Sequence, residues 1–303
     1  MLQLRIRTSC FAVWSQISIP AMTATAIEPA ACADFIGKWR AREPEMTFAE
    51  PFCPGPLRAR FQLWGALLLE LRESAFELSD ALVMEAKSAW WAEELGRTAM
   101  HAARHPLTQA LVHEAQMPLP WPQLGNGMLA SAASEPRPAD ADAAIAGMRP
   151  LAEGIVAFEA ALFPGESFAA GNEQALHVNV SNAVVVHLLV ERLRMGLSSQ
   201  DGGRIPMSLL ARHRITAAQL VEPDGAAAIA DWAQQLLAFA PARLRGASLY
   251  RRTHSAFDRR ALQRHAQRRT AAPAPPLRAL WLAWTAARQD SAAATRAYAT
   301  PAG

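Results

Sequence analysis

Several things are scarce in this chain of 303 residues. Cysteine occurs three times, as Cys10, Cys32 and Cys53, with neither a C-x-x-C pair nor a metal-ligand spacing, so a cysteine-held metal has no basis. Such sparing use fits a reducing compartment, and a cytoplasmic location is the expectation. No apolar stretch approaches the roughly 18 residues that a membrane-spanning helix needs. No G-x-S-x-G elbow surrounds Ser181, Ser198 or Ser199, and neither a phosphate-cradling glycine loop nor a dinucleotide fingerprint is present. Hydrolase and nucleotide-binding chemistry therefore lack support. Only Lys38 and Lys87 among the 30 basic residues are lysines, and only Tyr250 and Tyr298 are tyrosines.

What is abundant is apolar and helix-forming. Hydrophobic residues make up 51% and charged residues 19%, with a formal net charge of +3, a globular composition in a chain long enough to bury a large core in one all-α body. From Pro56 to about Arg104 apolar positions recur at helical spacing without a later proline or β-branched run, so long helices are predicted. His105-Pro106 ends one helix and starts another, because proline disfavours the α conformation in the residue before it. PLPWPQLGNG and SEPRPADAD read as loops. Further helices are predicted over 140–162 and over 173–197, the second Val-rich and buried. In SSQDGGRIP, Gly202 and Gly203 supply unusual backbone angles and Pro206 prevents immediate resumption of a helix. MSLLARHRI and a turn at EPDG lead into a helix over 226–269, with any break near Pro241. A stiff APAPP linker precedes LRALWLAWTAARQ, where Leu277, Leu280, Trp281 and Trp284 fall at i, i+3, i+4 and i+7 of an amphipathic helix. At the other end, MLQLRIRTSCFAVWSQISIPAMTATA resembles a weak secretory signal. Ser15, Gln16 and Pro20 break its apolar run, and Met22 offers a plainer account in which residues 1–21 are an upstream extension.

Two segments resemble the squalene/phytoene synthase family, all-helical enzymes that join two prenyl diphosphates head to head. EAKSAWWAEELGRTAMHAARHPLTQAL, residues 85–111, holds a Lys, a small spacer, a double Trp, a Glu pair and a later His-Pro, as in the helix that follows the family's first motif. HLLVERLRMGLSSQDGGRIPMSLLARHRITAAQL, residues 187–220, is similar to the segment where a helix exits through a Gly-Arg turn. The resemblance covers residues 48–269. It implies one all-α domain over 48–270 with the isoprenoid-synthase fold, its helices surrounding a central apolar cavity suited to prenyl chains. A partly disordered extension would precede it at 1–47, and a proline linker with the amphipathic helix would follow at 271–303.

The family's chemistry needs two aspartate-rich motifs on facing helices. Carboxylates at i and i+4 share a helical face, so several oxygens hold Mg2+ against a diphosphate whose departure leaves an allylic cation. Alignment on Arg72 puts Ala75 and Ser79 at the first pair, and alignment on Gly203-Arg204 puts Met195 and Ser199 at the second. Both pairs are missing. Glu70, Glu73, Glu77 and Asp80 follow at steps of three and four along one face, which makes Glu73 and Glu77 candidate Mg2+ ligands. The facing segment offers only Glu191 and Asp201, separated by a glycine-containing turn. A set of acids on one wall is a poor trap for a strongly hydrated ion, and a solvated helix face explains it equally. Arg72, Lys87 and Arg204 are the candidate catalytic residues, with Arg194 beside them, since arginine's fork suits phosphate as well as ion pairing. Trp90 and Trp91 line a pocket rim or anchor the core. The two tyrosines lie outside the matched segments, away from where the family places aromatic hydroxyls.

Two constellations stand apart. His101 and His105 have i, i+4 spacing, but no acid follows at metalloprotease spacing. Arg243, Arg245, Arg251, Arg252, Arg259, Arg260, Arg264, Arg268 and Arg269 concentrate charge near the C-terminus. They are solvated helix faces or a peripheral contact with anionic lipid, with Trp281 and Trp284 settling at the interface. No nucleic-acid-reading module accompanies them, and no nucleic-acid partner is expected. The chain thus reads in two ways. In the first it is a degenerate relative of the synthases that needs no cofactor and binds an isoprenoid or other apolar lipid, or a protein partner, as a relative that assists assembly of a respiratory complex does. In the second it is a working prenyltransferase, with Mg2+ on Glu73 and Glu77 and the diphosphate steadied by Arg72 and Arg204.

Overall fold

The computed structural model describes residues 29–78, 80–164, 173–194, 204–268 and 273–289. Among these residues all regular structure is helical: α1 (Pro29–Arg42), α2 (Gly55–Arg72), α3 (Ala81–Ala99), α4 (Pro106–Glu114), α5 (Trp121–Ala132), α6 (Ala141–Leu162), α7 (Glu173–Arg194), α8 (Met207–His213), α9 (Ala226–Phe239), α10 (Leu249–Ala266) and α11 (Pro276–Arg288). One apolar core joins them, running from Cys32 and Trp39 of α1 through α2, α6, α7 and α10 to Ala279 and Ala283 of α11. Ser79, Met195, Ser199, Asp201 and Arg269 lie outside the described residues, as does the stretch before Pro29.

The segment from 56 to 104 is not a single helix. Pro56 sits in the first turn of α2, where its missing N–H costs nothing. After Arg72 the chain winds into one π turn over Glu73–Glu77, and Leu78 is extended. Asp80 then opens α3, its carboxylate accepting from the N–H groups of Leu82 at 2.9 Å and Val83 at 3.2 Å. Capping is what short acids do best at a helix start, and it removes Asp80 from the acidic stripe. Similarly, His101 and His105 do not share a helix. His101 has a left-handed φ of 59°, and His105 caps α4, its Nδ1 accepting from Leu107 N–H at 3.2 Å. Glu94 of α3 folds over this junction and accepts from Arg104 N–H, His105 N–H and Thr108 Oγ1–H at 2.7 to 2.8 Å.

The stretch PLPWPQLGNG is loop only as far as Pro120, because α5 starts at Trp121 and carries the rest. Pro122 falls in its first turn, and its glycines are there for packing. A Cβ on Gly127 would lie 2.4 Å from the carbonyl oxygen of Pro150 in α6, and one on Gly154 would meet Leu124 Cα at 3.0 Å. Side chains at both places would push α5 and α6 apart. Pro150 itself sits inside α6, and the N–H of Leu151 beside it donates to Ser131 Oγ of α5 at 3.1 Å. The predicted helix over 226–269 divides into α9 and α10, with the break at 240–248 around Pro241 and Ser248 capping α10.

The amphipathic helix α11 is oriented opposite to its large side chains. Ala279, Ala283 and Ala286 form the seam packed towards the body, while Leu277, Leu280 and Trp281 are exposed. Periodicity identified the stripe but not which way it faces. The arginine-rich run before it is likewise not one surface: Arg251, Arg252 and Arg260 are buried. No helix among the described residues is long and apolar enough to cross a membrane.

Candidate functional site

The site to be tested lies where α2 gives way to its π turn, opposite α7 and α10. Its centre is Arg72, only 2% exposed and the last residue of α2. Its Nη2 pairs with Glu43 Oε1 just beyond α1, and its Nη1 donates to His187 Nε2 of α7 at 2.5 Å. Since a guanidinium only donates, Nε2 accepts, and the ring proton sits on Nδ1, pointing 3.1 Å to Asp258 Oδ2 of α10. Glu43 also accepts from Trp39 Nε1–H at 2.9 Å and lies 3.5 Å from His254 Nε2. Burial alone would make Arg72 easier to deprotonate, but Glu43, Glu191 and Glu77 outweigh it and the pKa is raised. His187 is held down to about 3 by burial and then by Arg72, and stays neutral.

A second buried knot lies deeper along α2. Arg251 of α10 grips Glu159 of α6 with two bonds, Nη2 to Oε1 at 2.5 Å and Nε to Oε2 at 3.2 Å, and Trp64 Nε1–H adds a third donor at 2.9 Å. Tyr250 fills the space between the knots, stacked edge-on to Phe61 and near His254. Two open depressions of about 460 and 640 Å³ exist, one lined by Arg40, Thr47, Glu50, Pro51 and Arg58, the other beside Arg149 and Phe239. Neither touches Arg72, Glu73 or Glu77.

The candidate metal ligands sit at the rim of this network, each already matched with a cation. Lys38 Nζ donates to Glu70 Oε1 at 2.6 Å and to Glu73 Oε2 at 2.5 Å, Lys87 lies 3.5 Å from Glu70, and Arg42 donates to Glu77 Oε2 at 2.9 Å. Burial draws the Lys38 pKa down, but the hydrogen bonds to Glu70 and Glu73 carry it above the ordinary lysine value. Glu77 is raised above the usual carboxylate range by burial, with Arg72 and Arg42 pulling the other way and the charge of Glu191, on the α7 wall, adding to the rise. The α7 wall therefore supplies one acid near Glu77. Even so, the donor set does not fit a magnesium cluster, because Lys38, Arg42 and Arg72 stand where the ions would have to be and bring the same sign of charge.

Arg204 comes near the π turn through Phe76, its guanidinium carbon 5.2 Å from the ring centre, and its Nη1 donates to Ser134 Oγ at 2.7 Å. Burial and then Arg192 lower its pKa to about 10. Ala75, at the lost aspartate position, is fully buried. The double tryptophan divides its work: Trp91 enters the core, while Trp90 is half exposed and packs against Trp91 and His105.

His187, His254 and Asp258 bring one potential ligand atom each to within 4.8 Å of one another. The trio is a hydrogen-bond relay in this arrangement. A metal on His187 Nδ1 would require a proton on Nε2, directly against the Arg72 donor. Sequence reasoning missed Glu43, Glu159, His187, Arg251 and Asp258 as members of the site. The signal that could have found two of them is a lone polar residue in an apolar run, His187 in VVVHLLV and Glu159 in IVAFEAALF, since such a residue cannot be left unpaired once buried. No protein-family model matches the sequence, and no curated protein matches it.

Proposed function

We propose that the chain is a degenerate relative of the squalene/phytoene synthases, cytoplasmic and without prenyl-transfer activity, that works by binding. The observation that carries this reading is the pairing of every candidate catalytic group with a neighbour. Arg72 is sealed between Glu43 and His187, while Glu73 and Glu77 are held by Lys38 and Arg42. Arg72, His187, Tyr250 and His254 also fill the middle of the bundle, which favours a protein or lipid engaged from outside over a prenyl chain threaded within.

The competing reading, an Mg2+-dependent prenyltransferase, draws on one fact: Glu191 on α7 bears on Glu77 across the site. It would require Lys38 and Arg42 to withdraw. Incubation of the full chain with farnesyl or geranylgeranyl diphosphate and Mg2+ decides between them. The expected result is no diphosphate release, together with an apolar lipid or a stoichiometric protein retained by natively purified chain. Diphosphate release that is abolished by Glu73→Ala overturns the proposal.

A further inference from the structure

We propose that the outward face of α11 docks on an anionic membrane surface. The stripe consists of Leu277, Leu280, Trp281, Trp284 and Arg288, recurring at the helical period, with Arg278 beside its start. Leu277 is 85% exposed and Trp281 60% exposed. The helix is firmly seated, so this exposure is not the result of a loose end. Its alanine seam lies against the body, the carbonyl of Ala286 accepts from Arg252 Nε at 2.9 Å, and the N–H of Ala274 just ahead of the helix donates to Glu45. An apolar side held outward while alanines are buried inverts the usual arrangement, in which the large residues gain most from contact with the core.

The chemistry of the stripe selects the occupant. Two tryptophan rings lie 4.9 Å apart, and the Arg288 guanidinium sits 4.9 Å from the Trp284 ring centre. Indole rings settle at the level of lipid headgroups, and arginines at either end of the stripe meet phosphate there. Residues 276–288 contain no acid, and their one hydroxyl, on Thr285, donates to the Leu282 carbonyl at 2.9 Å. A protein partner would require a rim of donors and acceptors for specific pairing. This face offers hydrocarbon, indole and positive charge only. A helix of 13 residues lying in the interface plane fits such a role. The inference does not depend on kinship with prenyl synthases.

The test is co-sedimentation of the full chain with vesicles of phosphatidylcholine, with and without phosphatidylglycerol, alongside tryptophan fluorescence. Expected are binding to the anionic vesicles, a blue shift of the emission and weakening by added salt. Trp281→Ala should reduce binding about tenfold, and Arg278→Gln with Arg288→Gln should remove most of the preference for phosphatidylglycerol. These side chains are solvent-facing, so circular dichroism and the melting temperature should match the parent. Absence of vesicle binding overturns the proposal, as does binding that Trp281→Ala leaves unchanged. A parent dimer that Trp281→Ala converts to monomer also overturns it, by making a second copy of the chain the occupant.

Discussion

Two ionic networks meet at the end of α2, and they differ in their surroundings more than in their chemistry. The inner one, Arg72 with Glu43 and His187 and, further along, Arg251 with Glu159, is closed off from water. The outer one joins the same helix to α1 through Lys38 and Arg42, whose side chains are 45% and 36% exposed. Both contain short, opposite-charge contacts. Inside, neither partner can be lost without stranding a charge in a medium that cannot solvate it. Outside, water and salt stand ready to replace either partner. A motif position that has become an inner contact is therefore committed to the fold, whereas one on the rim can still exchange partners.

The sharpest way to break this contrast is to remove an inner partner. Arg251→Met is expected to cost about 3 to 5 kcal/mol in urea unfolding, because Glu159 is left buried without its charge partner. Adding Glu159→Leu should recover much of that loss, and a single variant as stable as the parent would show that the knot is not closed to water. Next in size is the effect of acid on His187. Its folded pKa of about 3 lies below the ordinary 6.5, so between these values the unfolded chain binds more protons and stability falls as pH drops. The slope is up to about 1.4 kcal/mol per pH unit from this group. His105, lowered by burial, adds in the same direction, while Glu77, raised by burial, opposes it at more acid pH. Unfolding free energy measured from about pH 6.5 to 5 should therefore lose part of its slope in His187→Gln, and an unchanged slope would place the sensitivity elsewhere. The smallest effect is expected at the rim. Lys38→Met should change stability by less than about 1 kcal/mol, and by still less in high salt. A loss as large as that of Arg251→Met would erase the distinction between the two networks.

Helices with strong periodicity were legible in the chain, including α6 through its internal proline and the division near Pro241. What escaped were features where one residue serves two ends. Pro122, Gly125 and Gly127 read as breakers because glycine and proline usually are, yet here they begin and pack α5 against α6. Asp80 read as one of four stripe acids because spacing does not reveal a cap. For the site, Arg72, Glu73 and Glu77 stood out from the sequence, but their partners did not. Lys38, Arg42 and Glu43 come from a stretch read as an extension, some 30 positions away, and no local periodicity links residues brought together by folding. His187 and Asp258 meet across 71 positions for the same reason.

The single wide turn at Glu73–Glu77 has one more effect. Each residue of an ordinary α-helix advances the winding by about 100°, so a surplus residue swings everything after it around the axis unless the coil takes up the slack locally. Here the slack is taken up between Arg72 and Leu78, and Glu77 faces Arg42 as a result. Excising one residue from this turn would restore plain winding and carry Glu77 round by roughly a quarter of a revolution, away from its present neighbours. The direction of that acid is thus governed by an irregularity of coiling, which counting positions along the chain does not reveal.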